Sequence, residues 1–182
     1  MIYACLRFIE EWAQPLTIVN FTLLGLSSGF LLAAALAAVS GEAPLLSLAG
    51  PVALATTLVA WAMRLLALRR NDTLRHRSTL QTATGIRASK LTQKAMGMTG
   101  GSFNTREFFH RASPAALRQV RMAALALGFA LPSVCAVWGL VAGGALPWLL
   151  AVALQAPGLV ADRWYFFAQA KHPQNLYYQV VS

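Results

Sequence analysis

Acidic side chains are scarce in this 182-residue chain: six Asp and Glu stand against fifteen Lys and Arg, and charged residues of both signs make up only 12%. A soluble domain carries roughly 25%. Cysteine is nearly absent. Cys5 and Cys135 are too few for a disulfide scaffold or for an iron–sulfur cluster, which needs about four thiolates. The three histidines, His76, His110 and His172, all fall outside the long apolar stretches, which argues against a bis-histidine haem held within a membrane bundle. No phosphate-binding glycine loop, HExxH or GxSxG is present. The chain therefore shows no cofactor or metal of its own, and an independent enzyme is disfavoured. What it has in abundance is apolar residues, 57%, which excludes disorder.

The scarce charge is unevenly placed. Residues 69–118 hold ten of the fifteen bases and two of the six acids, a net +8 in 50 residues, and the remaining 132 carry only +1. A sequence pI near 10.6 raises the question of nucleic acid, but the charge lies between apolar runs. These runs are residues 16–39, 45–68, 120–142 and 146–161, the last continuing into DRWYFFAQA. A bilayer core takes about 20 apolar residues of helix, and backbone in lipid must satisfy its own hydrogen bonds. The pattern predicts an all-α polytopic membrane protein: four transmembrane helices, with a long basic loop between the second and third. Lys- and Arg-rich loops stay cytoplasmic, which places the loop and both termini on that side. Arg64 and Arg121 then snorkel from their helix ends. Trp138 and Trp148 mark the outer interface, and Trp12, Trp61 and Trp164 the inner one.

The implied organisation is an interfacial segment at 1–15, helices one and two in 16–68, the loop at 69–113, helices three and four in 114–171, and a tail at 172–182. MIYACLRFIEEW reads as an interfacial helix or the tail of an earlier membrane helix, with no evident cleavage site; in the second case Met1 is an internal residue of a longer chain. Gly25, Ser28 and Gly29 form a GxxxG face able to seat a neighbouring helix. Pro132 and Pro157 kink helices three and four. Gly50-Pro51 and Ser113-Pro114 read as helix starts.

Polar residues inside the runs are few: Asn20, Ser27, Ser28, Thr56, Thr57 and Gln155, with Asp162 and Arg163 at the end. Intramembrane ionisable groups are functional candidates. Asp162 with Arg163 reads either as an interfacial pair or as a proton or quinol contact. Gln155, seven residues earlier on nearly the same helical face, bonds either a neighbouring helix or a ligand. In the loop, MGMTGGSFNTREFFHR breaks structure at its glycines. Asn104 and Glu107 then have the spacing of a capping box, which presents Phe103, Phe108 and Phe109 beside Arg106 and His110. Three phenylalanines in a basic loop need burial, on the bundle or against a soluble partner; stacking on nucleic acid is the third option, although the positive-inside rule already accounts for the charge.

GGSFNTREFFH between membrane helices, and DRWYFFAQAKHPQNLYYQ near the end, resemble the membrane anchor subunits of the dimethyl-sulfoxide reductase family (DmsC type). The likeness covers nearly the whole chain and roughly the C-terminal half of such an anchor. The matching positions are Phe103, Asn104, Thr105, Arg106, Glu107, Phe108, Phe109 and His110, then Arg163, His172, Pro173, Asn175 and Tyr177. The resemblance implies a subunit of the bacterial inner membrane that tethers an iron–sulfur subunit and a molybdopterin catalytic subunit. It also implies menaquinol as substrate, oxidised in anaerobic electron transport. Molybdopterin and iron–sulfur clusters would then sit on partner subunits, and an N-terminal half of the anchor is a further partner. A different reading of the same helices is half of a small transporter or channel, acting as an oligomer and hinged at Pro132 and Pro157.

Overall fold

Proline and glycine punctuate the chain where its helices begin and end. The computed structural model describes residues 2–75, 77–92, 94 and 113–172. Helix α1, Pro15–Ser40, opens with proline in its first turn and closes at Gly41, whose positive φ of 75° lets its N–H bond back to Ala37 O. Helix α2, Ala43–Asp72, follows almost at once, again with a first-turn proline. A short helix α3, Leu80–Thr84, is capped by reciprocal Thr79 and Thr82 bonds. Helix α4, Pro114–Leu125, starts where Ser113-Pro114 predicts, the Ser113 hydroxyl accepting from Ala116 N–H. It runs through a π-helical turn, Ala126–Ala130, into α5, Leu131–Ala142. The wide turn lies directly before Pro132, which has no N–H to offer the regular ladder. After Gly143 and Gly144, both at positive φ, helix α6 spans Leu146–Ala168.

The four long helical segments pack as a ring. Each pair joined by a short turn, α1 with α2 and α5 with α6, lies side by side. The ring closes through α1 on α6 and α2 on α5. At one end Leu31, Ala34, Ala53, Ala136, Trp148 and Ala151 form the core. Leu24, Ala60 and Phe129 fill the middle. Many of the contact residues are alanine or glycine, as expected where close approach replaces water-driven burial. The tightest crossing is glycine on glycine: a Cβ on Gly158 would lie 2.2 Å from Gly128 N. Leu36, Val39, Leu48, Val134, Val141 and Val160 point outward. The segments Pro15–Ser40, Ala43–Asp72 and Pro114–Ala142 are long and apolar enough to cross a membrane. Helix α6 is 23 residues long but falls short in composition, because Gln155, Asp162 and Arg163 interrupt it. The described residues are all-helical, without strands.

Several expectations need correction. Gly50-Pro51 lies inside α2 and does not start it, because Pro44 already supplies the first-turn proline. The N-terminal segment is not an α-helix: a 3-10 turn at Ile2–Cys5 and irregular turns fold across the bundle end, burying Ile9 and Trp12. Trp148 is not an interface marker. It is fully buried and fills the space left by Gly50 and Gly139. Gly25 and Gly29 face outward, with nothing near their Cβ positions, and Ser28 bonds back to Gly25 O. The inward stripe of α1 is instead Leu24, Ser27, Leu31 and Ala34–35, so the GxxxG face packs no helix of the described chain.

Candidate polar site within the bundle

Six of the buried polar side chains of α1, α2 and α6 fall into two layers. Each helix gives one residue to each layer, seven positions apart: Asn20 and Ser27, Thr57 and Arg64, Gln155 and Asp162. Seven residues are nearly two helical turns, about 10.5 Å along an axis. The two sets therefore face the same interior seam at two depths.

The deeper layer is a directed hydrogen-bond chain. Gln155 Nε2 donates to Ser27 Oγ at 2.9 Å. Ser27 and Thr57 hydroxyls are 2.7 Å apart, and Thr57 Oγ1 donates to Ala53 O. Thr57's proton is thus committed to its own helix, so Ser27 is the donor between them. Each hydroxyl both gives and accepts, and three helices are tied together.

The other layer is ionic. Arg64 Nε meets Asp162 Oδ1 at 2.6 Å, and Arg163 Nη2 meets Oδ2 of the same carboxylate at 2.6 Å. Arg64 and Asp162 are 3% and 2% exposed at the side chain, so the expectation that Arg64 snorkels fails. Both oxygens of Asp162 are engaged by cations, which is how a carboxylate is held away from water. The Arg163 guanidinium also lies 4.1 Å over the Phe21 ring. Asn20 Nδ2 donates to Leu16 O within α1, with Met63 O of α2 at 3.4 Å. Arg121 pairs bidentately with Asp72 nearer the surface, at 2.9 and 2.8 Å.

The N-terminal segment covers this ionic layer. Trp12 Nε1 donates to Phe166 O at 3.1 Å and the two rings stack at 5.1 Å. Arg70 Nη1 bonds Glu10 O, Arg77 N–H bonds the Glu10 carboxylate, and Lys171 N–H bonds that of Glu11. His172 sits edge-on to Phe8 at 5.3 Å, and burial pushes its pKa below the ordinary histidine value.

The structure thus brings Gln155, Asp162 and Arg163 into one seam with Asn20, Ser27, Thr57 and Arg64. It engages Gln155 with Ser27 and commits both Asp162 oxygens to guanidinium groups. The repeated seven-residue spacing on three different runs is the sequence signal that marks Asn20, Ser27, Thr57 and Arg64 as partners. Phe103, Asn104, Arg106, Glu107, Phe108, Phe109 and His110 lie outside the described residues, as do Pro173, Asn175 and Tyr177. Among the described residues, no group of three or more His, Cys, Asp or Glu side chains is placed to hold a metal.

No protein-family model matches the chain. No solved structure matches it. Over all 182 residues the chain is 50% identical to a sulfite dehydrogenase subunit from Allochromatium vinosum, and it spans 56% of that protein's length.

Proposed function

We propose that this chain belongs to the membrane anchor of an oxidoreductase complex of the dimethyl-sulfoxide reductase type, tethering an iron–sulfur subunit and a molybdopterin catalytic subunit and linking them to the quinone pool. The observation that carries the reading is the 50% identity along the entire chain to a subunit of a sulfite dehydrogenase. Three membrane-length helices support it, and so does the loop motif GGSFNTREFFH. In this reading α6 is the fourth span, its polar groups sheltered by α1 and α2. The loop and both termini face the cytoplasm of a bacterial inner membrane, and Phe103, Asn104, Arg106, Glu107, Phe108, Phe109 and His110 dock the iron–sulfur partner.

Menaquinol is the mobile electron carrier in this proposal. A dehydrogenase and a reductase run electrons in opposite directions through such an anchor, and the catalytic subunit decides which. Of Gln155, Asp162 and Arg163, the candidates for a quinol or proton contact, the partly exposed Arg163 is the best placed, since the Gln155 amide is engaged with Ser27 and both Asp162 oxygens with guanidinium groups. Gly25, Ser28 and Gly29, open on the outer face of α1, offer a seat for a helix from another part of the anchor.

The test is affinity purification of the tagged chain from native membranes. Co-purification of molybdenum- and iron-containing subunits is expected, together with their loss when residues 96–111 are deleted. An intact complex from the deletion variant removes the docking assignment, and a wild-type chain that purifies without either metal removes the anchor reading.

A further inference from the structure

Beneath the N-terminal segment, next to the ionic layer, lies a small polar cavity. Its lining includes Gln14, Asn20, Arg64, Arg163 and Gln169, with Phe21 and Phe166 among its walls. Each of the five polar residues has a buried atom with no hydrogen-bond partner among the described residues: Gln14 Oε1, Asn20 Oδ1, Arg64 Nη2, Arg163 Nη1 and Gln169 Nε2. Gln14, Asn20 and Arg64 are 8%, 3% and 3% exposed. A buried polar atom left unpaired costs about 1–3 kcal/mol, more for a charged group. Five such atoms on residues that line one cavity are therefore an arrangement suited to a ligand.

The ligand's chemistry follows from three features. The first is charge: the Arg64 and Arg163 guanidinium groups are balanced by Asp162, which they hold directly, and by the buried Glu11 in the cavity wall. A neutral guest is favoured over an ion. The second is size: the cavity offers about 10 Å³ of open space, close to the roughly 10–15 Å³ that one water needs. The third is valence, since two acceptor atoms and two of the three donors make the full complement of a single water. We propose that this cavity is a binding site for one internal water molecule, which accepts from Arg64 and Arg163 and donates to Asn20 and Gln14. The N-terminal segment forms one wall of it through Glu11 and Gln14 and is held there, Gln14 by its own amide to Glu11 O and Trp12 by its indole N–H to Phe166 O. The water joins α1, α2, α6 and the N-terminal segment at one point. It completes the ionic layer as Ser27 completes the deeper one. This site is independent of the electron-transfer role proposed above.

X-ray radiolytic labelling in ¹⁸O water, on the chain in its native membrane complex in lipid nanodiscs, reads such a water directly. Hydroxyl radicals born at a bound water modify the side chains beside it, buried or not. Phe166, only 4% exposed, is expected to be labelled at least several-fold faster than Phe129, which is fully buried elsewhere in the bundle. Asn20→Leu, which removes an acceptor and fills the space, is expected to bring Phe166 down to the Phe129 rate. Asn20→Asp, which keeps an acceptor, is expected to retain the label. Equal labelling of Phe166 and Phe129 in the unmodified protein overturns the proposal, whatever the variants do. So does an unchanged Phe166 rate in a folded Asn20→Leu protein.

Discussion

Asp162 is the residue on which most of the interior depends. Its carboxylate receives two guanidinium groups, one of them fully buried. Removing one member of a buried ion pair leaves an uncompensated charge, at a cost of about 3–5 kcal/mol. Asp162→Leu is therefore expected to lower stability by that order, followed by tryptophan fluorescence during thermal unfolding in detergent. The double variant Arg64→Met with Asp162→Leu is expected to recover much of the loss, since Arg163, with a side chain 29% exposed, has water within reach. A double variant as damaged as the sum of its parts would show that the charges are not coupled. Ser27→Ala, in the neutral layer, is expected to cost less, about 0.6–1.7 kcal/mol, the range of interhelical hydrogen bonds in membranes. His172 follows the same pH sense as a paired acid, although its favoured form is the neutral one. Burial lowers its folded-state pKa, so its neutral form favours the folded arrangement. That contribution is complete above its unfolded value of about 6.5 and is lost as pH falls through the lowered folded value. An NMR titration of His172 is expected to give a midpoint below that of a free histidine, and the contact with Phe8 is expected to loosen in the same acidic range.

Among the elements, α4–α5 and α6 meet differently from the other helices. They meet through backbone approach at Gly128 and Gly158, with a polar contact between Arg121 and Tyr165 nearer the end of the bundle. Because an alanine Cβ at 158 would collide with Gly128 N at 2.2 Å and with Leu127 backbone at 2.5 Å, Gly158→Ala must force the helices apart. A loss of about 2 kcal/mol or more is expected, in the range of severe overpacking. Gly25→Ala and Gly29→Ala have open space and are expected to leave the melting temperature of the isolated chain nearly unchanged. Parallel melts of the three variants check this, and equal damage at Gly25 would put the packing face back on α1. The contrast shows what the sequence made legible. Helix positions followed from apolar length and from Ser113-Pro114. Choosing between two glycine pairs did not, because Gly25 and Gly29 have the familiar spacing on one helix, whereas Gly128 and Gly158 come together only through tertiary contact. Arg64 misled for a related reason. Near the end of an apolar run a long cation ordinarily snorkels, and only closure of the helix ring brings Asp162 of α6 within reach of Arg64 on α2.

At the scale of the whole molecule, the two polar layers and the uneven charge describe the same axis. The ionic layer lies toward the end where the N-terminal segment folds over the bundle and Arg69, Arg70 and Asp72 end α2. The opposite end, at Gly41-Glu42 and Gly143-Gly144, has no Lys or Arg. In the orientation proposed above, which follows the positive-inside rule, the first end faces the cytoplasm, and an ionic cluster near that interface is less costly than one at the bilayer centre. Orientation is testable with the protein's own thiols. Cys5 is exposed at the basic end, whereas Cys135 is partly buried in α5. In a Cys135→Ala background, a membrane-impermeant maleimide is expected to label Cys5 in inverted membrane vesicles and not in intact spheroplasts. Moving the single thiol to the other end, with Cys5→Ala and Glu42→Cys, is expected to reverse that pattern. If Cys5 reacts from outside in spheroplasts whose Glu42→Cys counterpart does not, the basic segment lies on the outer face, and its charge reflects the surface of a partner there and not the rule of insertion.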